Sequence, residues 1–241
     1  MSKKKFLLAI SLLISAVSVS AGQTRAAATT EPVDAIAQGN KSFARADYEA
    51  AIREYARVAA DAGEFYAQSL YNIGVSYYEL WRTAGAIDYY RRAIAARHGH
   101  YPRALYALGV ALEDQGQLAQ AKDAYQRSIV ESRGEYAPAQ YRMGLLIAGQ
   151  GESKAAAEYF NKALKQPGLH VPASHNNLGV MLARLGSLEK AQHEFEIALR
   201  ESGGAFDDAA HNLELCRSLL TVAGTKQVVA FRVSGAIAKT N

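Results

Sequence analysis

Residues 104–129 read ALYALGVALEDQGQLAQAKDAYQRSI, and the spacing inside that stretch decides the fold. Gly109 is followed twelve residues later by Ala121, then at intervals of four by Tyr125 and Ile129. Intervals of four put Ala121, Tyr125 and Ile129 on one stripe of an α-helix. The same set recurs along the chain every 35 residues. Glycines stand at Gly39, Gly74, Gly109, Gly144 and Gly179, alanines at Ala51, Ala86, Ala121, Ala156 and Ala191, and aromatics at Tyr55, Tyr90, Tyr125, Phe160 and Phe195. An apolar column closes each set: Ala59, Ile94, Ile129, Leu164 and Leu199. Between glycine and alanine, Gly116, Gly151 and Gly186 mark a turn in three units, with Ala46 and Trp81 at that place in the other two. Each unit therefore reads as two helices joined by a tight turn. The small columns mark where the two helices cross closely, because only small side chains let backbones approach. One such pair cannot bury its apolar face alone, so neighbours stack into a continuous core.

Composition agrees. The chain has 241 residues, 49% hydrophobic and 21% charged, the balance of a folded protein rather than a disordered one. Alanine accounts for 46 residues, which favours helix. The single cysteine, Cys216, excludes an internal disulfide and any multi-cysteine metal framework, and it reads as a small buried apolar residue.

The stretch 104–129 and the segment 71–94, YNIGVSYYELWRTAGAIDYYRRAI, resemble the tetratricopeptide repeat. The resemblance covers residues 32–206 as five units. It implies an all-α fold, a right-handed superhelical solenoid of five helix-turn-helix units closed by a C-terminal capping helix over 207–223. Glu214 occupies the glycine position of that last helix, as suits a cap whose outer side meets solvent. Pentatricopeptide repeats share the 35-residue period and read single-stranded RNA. The glycine column and the weak net charge of the mature chain favour the protein-binding family, so no nucleic-acid partner is expected.

Both ends of the chain fall outside the repeats. Lys3, Lys4 and Lys5 precede an uncharged apolar run from Phe6 to Ser20, and Val19-Ser20-Ala21 has small residues at the two places a signal peptidase reads. Residues 1–21 read as a cleaved secretory signal and 22–31 as a polar linker. The mature protein is then periplasmic or secreted and not inserted in the membrane, with an uncleaved N-terminal anchor as the alternative. The leader carries three of the 27 basic residues and none of the 23 acidic ones, so the mature chain keeps a net charge of only +1. The last 18 residues, 224–241, break the repeat pattern, with an apolar, β-branched run from Val228 to Val233. Three readings stay open for them: a free tail, a segment folded back into the groove, or a strand that pairs with a partner.

No constellation of residues points to catalysis. His193-Glu194 lacks the second histidine of a zinc-protease helix, and Gly149, Gly151 and Ser153 do not make a nucleophile elbow. His98-Gly99-His100 offers two metal ligands without a third. Glu113-Asp114 and Asp207-Asp208 are expected on solvent faces or helix starts. The expectation is no catalytic residue, no metal and no cofactor.

The resemblance implies that first helices line a concave face where ligands lie. Three residues before each glycine come Ile36, Tyr71, Tyr106, Tyr141, Asn176 and, in the cap, His211; two before come Ala37, Asn72, Ala107, Arg142, Asn177 and Asn212. Tyr71, Tyr106 and Tyr141 would form an aromatic strip flanked by Asn72, Arg142, Asn176 and Asn177, suited to an extended peptide, and simple packing is the competing reading for the tyrosines. Asn40 and Asn72 match two asparagines of the carboxylate clamp in chaperone-binding members. Ile36 and Ala107 stand where its lysine and arginine belong, so that clamp is not expected. The resemblance implies a non-catalytic scaffold or adaptor that binds a protein or peptide partner in a cell-envelope or secretion assembly. A self-assembling homo-oligomer is the runner-up, with an RNA-binding repeat protein and an enzyme more distant.

Overall fold

A computed structural model describes residues 23–168, 171–221 and 231–235, with side chains from Glu31 onward. Among the described residues there are eleven helices and no strand. They run α1 (Gln23–Ala44), α2 (Tyr48–Tyr55), α3 (Glu64–Glu79), α4 (Thr83–Ala96), α5 (Pro102–Asp114), α6 (Leu118–Glu131), α7 (Ala137–Gly149), α8 (Ser153–Ala163), α9 (Val171–Arg184), α10 (Leu188–Glu201) and α11 (Asp207–Thr221). Successive helices pack as antiparallel neighbours, and first helices also touch across units, α1 on α3, α3 on α5 and α9 on α11. The result is the superhelix of five helix pairs and a terminal helix. The expected linker over 22–31 is corrected: α1 starts at Gln23. Its Ala-rich composition favours helix strongly enough to carry the chain through Pro32, which lies inside α1.

The turns follow from backbone sterics. Gly116, Gly151 and Gly186 take φ of +74°, +86° and +81°, and Ala46 and Trp81 are held in the same left-handed region at +59° and +63°. Asp47 caps α2 by accepting from the Ala50 amide at 3.0 Å. Pro102 and Pro138 enter α5 and α7 in the first turn, where no amide hydrogen is needed.

The aromatic column lies on the glycine of its own unit. A Cβ at Gly74, Gly109, Gly144 or Gly179 would meet the ring of Tyr90, Tyr125, Phe160 or Phe195 at 2.5–2.7 Å, and one at Gly39 would press on Tyr55. The alanine column completes the crossing: the same Cβ would come within 3.4 Å of the Ala86 carbonyl at Gly74 and 3.1 Å of the Ala191 carbonyl at Gly179. These rings, with Ala86, Ala121, Ala156 and Ala191, belong to one core that runs from Leu70 to Cys216. A smaller cluster around Ala35, Ile36, Ala51 and Tyr55 closes the N-terminal unit. At the other end Glu214 is exposed, while Cys216 is fully buried and its thiol approaches the Leu188 carbonyl at 3.2 Å. Burial raises the pKa of that thiol, which leaves it a packing group.

Gly109→Ala sets a helix-propensity gain of about 1 kcal/mol against an overpacking cost of about 1–3 kcal/mol. Those terms leave a net loss of about 0–2 kcal/mol, and because the obstructing group is a rigid ring we expect the upper end of it in urea denaturation. Adding Tyr125→Leu should restore part of it; simple additivity of the two losses would contradict the ring-on-glycine contact.

Candidate functional site: a groove of amides

The two columns read from the sequence lie on first helices α1, α3, α5, α7, α9 and α11. Their tyrosines rest on the rings that cover the glycines. Tyr71 sits 5.9 Å from Tyr90 and 5.6 Å from Tyr101, Tyr106 sits 5.9 Å from Tyr125 and 5.4 Å from Tyr136, and Tyr141 sits 5.9 Å from Phe160. Tyr71 and Tyr141 are buried and Tyr106 is half-buried. Tyr71 is therefore chiefly part of the wall. Tyr141 keeps a working hydroxyl, which burial holds neutral by pushing its pKa up to about 12.

The amides have separate fates. Asn40, half-buried in α1, accepts from the Tyr55 hydroxyl at 2.8 Å and so steadies the ring on Gly39. Asn72 is buried in α3, and its side-chain Nδ2 has no hydrogen-bond partner. Asn176 and Asn177 in α9, and Asn212 in α11, are fully buried and all bonded.

What they hold is a piece of this chain. Residues 231–235 (FRVSG) lie across α7, α9 and α11. Asn212 accepts from the Arg232 amide at 2.7 Å and donates to the Arg232 carbonyl at 2.8 Å. One repeat earlier, Asn177 accepts from the Ser234 amide at 2.7 Å and donates to its carbonyl at 2.9 Å. A carboxamide has one acceptor and one donor group side by side, so each asparagine satisfies both backbone groups of one residue. The segment advances two residues as the array steps back one unit, so it runs antiparallel to the repeats.

Side chains around the clamps add further contacts. The Tyr141 hydroxyl donates to the Ser234 carbonyl at 2.8 Å, and Asn176 donates to the Arg232 carbonyl at 3.1 Å and the Ser234 hydroxyl at 2.9 Å. Ser234 Oγ donates to Asp208 at 3.0 Å, and Phe231 stacks on Phe195 at 6.0 Å with 19° between the planes. Gly235 turns with φ +71°, and a Cβ there would lie 3.0 Å from the Tyr141 hydroxyl oxygen. Arg232 and Gly235 remain exposed.

Midway along the array, sequence reasoning misplaced one charge. Glu113 is not on a solvent face: its side chain is 8% exposed, paired with Arg142 at 2.9 Å and accepting from the Tyr125 hydroxyl at 2.8 Å. Four residues after Gly109, it shares the glycine's inward face, a register that outweighs its polarity. Burial raises the Glu113 pKa, and the Arg142 charge opposes that rise. Neighbouring Asp114 does face solvent and receives the Tyr78 hydroxyl. His100 meets Glu131 at 2.5 Å, His175 meets Glu194 at 2.7 Å, and among the described residues no three His, Cys, Asp or Glu side chains converge as metal ligands.

The family model described as Tetratricopeptide repeat matches residues 33–100, 71–138 and 141–206. The chain belongs to the tetratricopeptide-repeat family. Solved structures similar to this repeat protein include one titled "Crystal structure of MamA protein", with 25% identity, TM-score 0.57 and coverage of 74% of this chain and 93% of that one. The Pseudomonas aeruginosa pilF structure has 18% identity and TM-score 0.67, covering 81% of this chain and 86% of its own. YrrB, titled a TPR protein with an unusual peptide-binding site, has 21% identity and TM-score 0.53 over 83% of this chain and 97% of its own. Among curated proteins, no sequence is found to match this chain.

Replacing Glu113 with leucine strands a charged Arg142 that is 20% exposed on its side chain. After discounting for that exposure we expect a loss of about 2 kcal/mol in denaturant, with most of it regained in Glu113→Leu/Arg142→Leu. A double variant as unstable as the single would mean that the pair is worth more than its desolvation.

Proposed function

We propose that this repeat protein is a non-catalytic scaffold or adaptor that binds an extended segment of a partner protein along the face formed by its first helices. The observation that carries the reading is the pair of asparagine clamps, Asn177 and Asn212, each closed on both backbone groups of one residue. Backbone recognition in an apolar groove is how an array of helices takes a peptide, and it asks nothing of metals or nucleophiles. The half-buried Tyr106 and Tyr136, the Arg142–Glu113 pair and the unpartnered Asn72 amide extend the same face toward the N-terminal units.

The assembly we propose lies in the cell envelope or a secretion system, reached by export. The lysine-tipped apolar leader supports this placement, and residues 1–22 lie outside the described ones. Among the described residues no helix is long and apolar enough to cross a membrane. Intact mass of the protein purified from its own cells should begin at Gly22; a mass that retains residues 1–21 would replace export of a free protein with N-terminal anchoring.

Photo-crosslinking in those cells tests the groove. With a photoreactive residue at Tyr106, and at exposed Gln126 as the control, one dominant heterologous adduct is expected at Tyr106 alone. Adducts only to the protein itself would replace the adaptor by a self-assembling oligomer. No adduct at Tyr106 would return the tyrosines to packing and overturn the proposal.

A further inference from the structure

We propose that Phe231–Gly235 is a resident pseudo-ligand, and that the partner enters this end of the groove by displacing it with an extended segment of the same grammar: aromatic, any residue, apolar, serine or threonine, glycine. The inference rests on the groove-binding reading above and names the ligand that this groove takes.

Each position of that grammar comes from a contact. The first residue stacks on Phe195, which asks for a ring. The second gives only its backbone to Asn212 while the Arg232 side chain is exposed, so any residue serves. Val233 is half-buried against the main core, which asks for an apolar side chain. The fourth is fixed most tightly: its amide and carbonyl close on Asn177, and its hydroxyl bridges Asn176 and Asp208. A residue without a hydroxyl would take from the Asp208 carboxylate the donor it has here and from Asn176 its shortest acceptor. The fifth turns at φ +71° beneath the Tyr141 hydroxyl, a place for glycine.

The same contacts make the segment exchangeable. Most of its bonds are to its backbone, which any extended peptide reproduces, and its own residues are mostly not buried: only Ser234 is below the surface. A tethered competitor acts at an effective concentration of the order of millimolar, so a partner segment sees a groove that is closed to weak ligands and open to those of matching grammar.

The test uses full-length protein and a fluorescent peptide of residues 229–236, VAFRVSGA. Gly235→Val loosens the resident segment while leaving every groove residue in place in the sequence, because valine is strained at that φ and its Cβ crowds the Tyr141 hydroxyl until the segment lifts away. We expect the variant to bind the peptide at least about tenfold more tightly than wild type. A peptide N-methylated at the serine amide, which cannot donate to Asn177, should bind the variant at least about tenfold more weakly; this control leaves the protein untouched. Equal affinity of wild type and variant would overturn the pseudo-ligand, as would equal affinity of the two peptides. A wild-type dimer that Gly235→Val converts to monomer would assign the segment to a neighbouring copy and overturn it too. Failure here with a Tyr106 adduct intact would leave the adaptor reading standing, and loss of that adduct alone would remove the adaptor reading.

Discussion

An aromatic ring packed against a glycine is the constraint from which the rest of this structure follows. In each of five units the ring from the second helix occupies the space where a Cβ on the first would stand. The two helices can then approach to the distance set by their backbones, and the alanine column keeps the crossing clear. Repeating the contact every 35 residues repeats the crossing angle, and a fixed angle between neighbours generates a superhelix. The ring also reaches outward. Tyr71, Tyr106 and Tyr141 each rest on one of these rings, so the wall of the groove is tied to the contact that orders the core.

On that uniform frame, one column is free to vary, and its variation divides the groove. Asn72, Ala107, Arg142, Asn177 and Asn212 occupy equivalent places. An asparagine there presents a donor and an acceptor to a passing backbone, an alanine presents nothing, and Arg142 is drawn aside by Glu113. The C-terminal half therefore holds residues 231–235 through neutral amides. The N-terminal half holds one more amide, on Asn72, whose Nδ2 is buried and unpaired. A buried donor left unpaired costs about 1–3 kcal/mol, a debt that a bound backbone carbonyl would remove.

The columns of glycine, alanine and aromatic were legible in the sequence because each is a steric requirement repeated five times, and repetition exposes it. Period alone also placed Asn177 and Asn212 on one face. Where the requirement is not repeated, residue type misleads. Glu113 looks like a surface carboxylate until its register with Gly109 is followed, and even then its partner, Arg142, lies a whole unit away. The start of α1 at Gln23 was hidden because an Ala- and Thr-rich stretch before a proline reads equally as linker and as helix. Phe231–Gly235 gave no periodic signal: an apolar β-branched run is compatible with a tail, a strand or a ligand, and only the two clamps decide among them.

The energetics of that segment explain why it can be held and yet not be part of the array. Its eight hydrogen bonds to the groove contribute about 1 kcal/mol each after water is exchanged. Fixing the backbone of five residues costs about 1–2 kcal/mol apiece, so the two sums are of the same size. Stacking of Phe231 on Phe195 tips the balance toward the docked state by about 0.5–1.5 kcal/mol. The helix pairs are in a different position, since each buries rings and alanines in a core that no substitute segment supplies. A groove built by strong, repeated contacts thus carries an occupant held by a narrow margin, and a narrow margin is what lets a second extended chain compete for it.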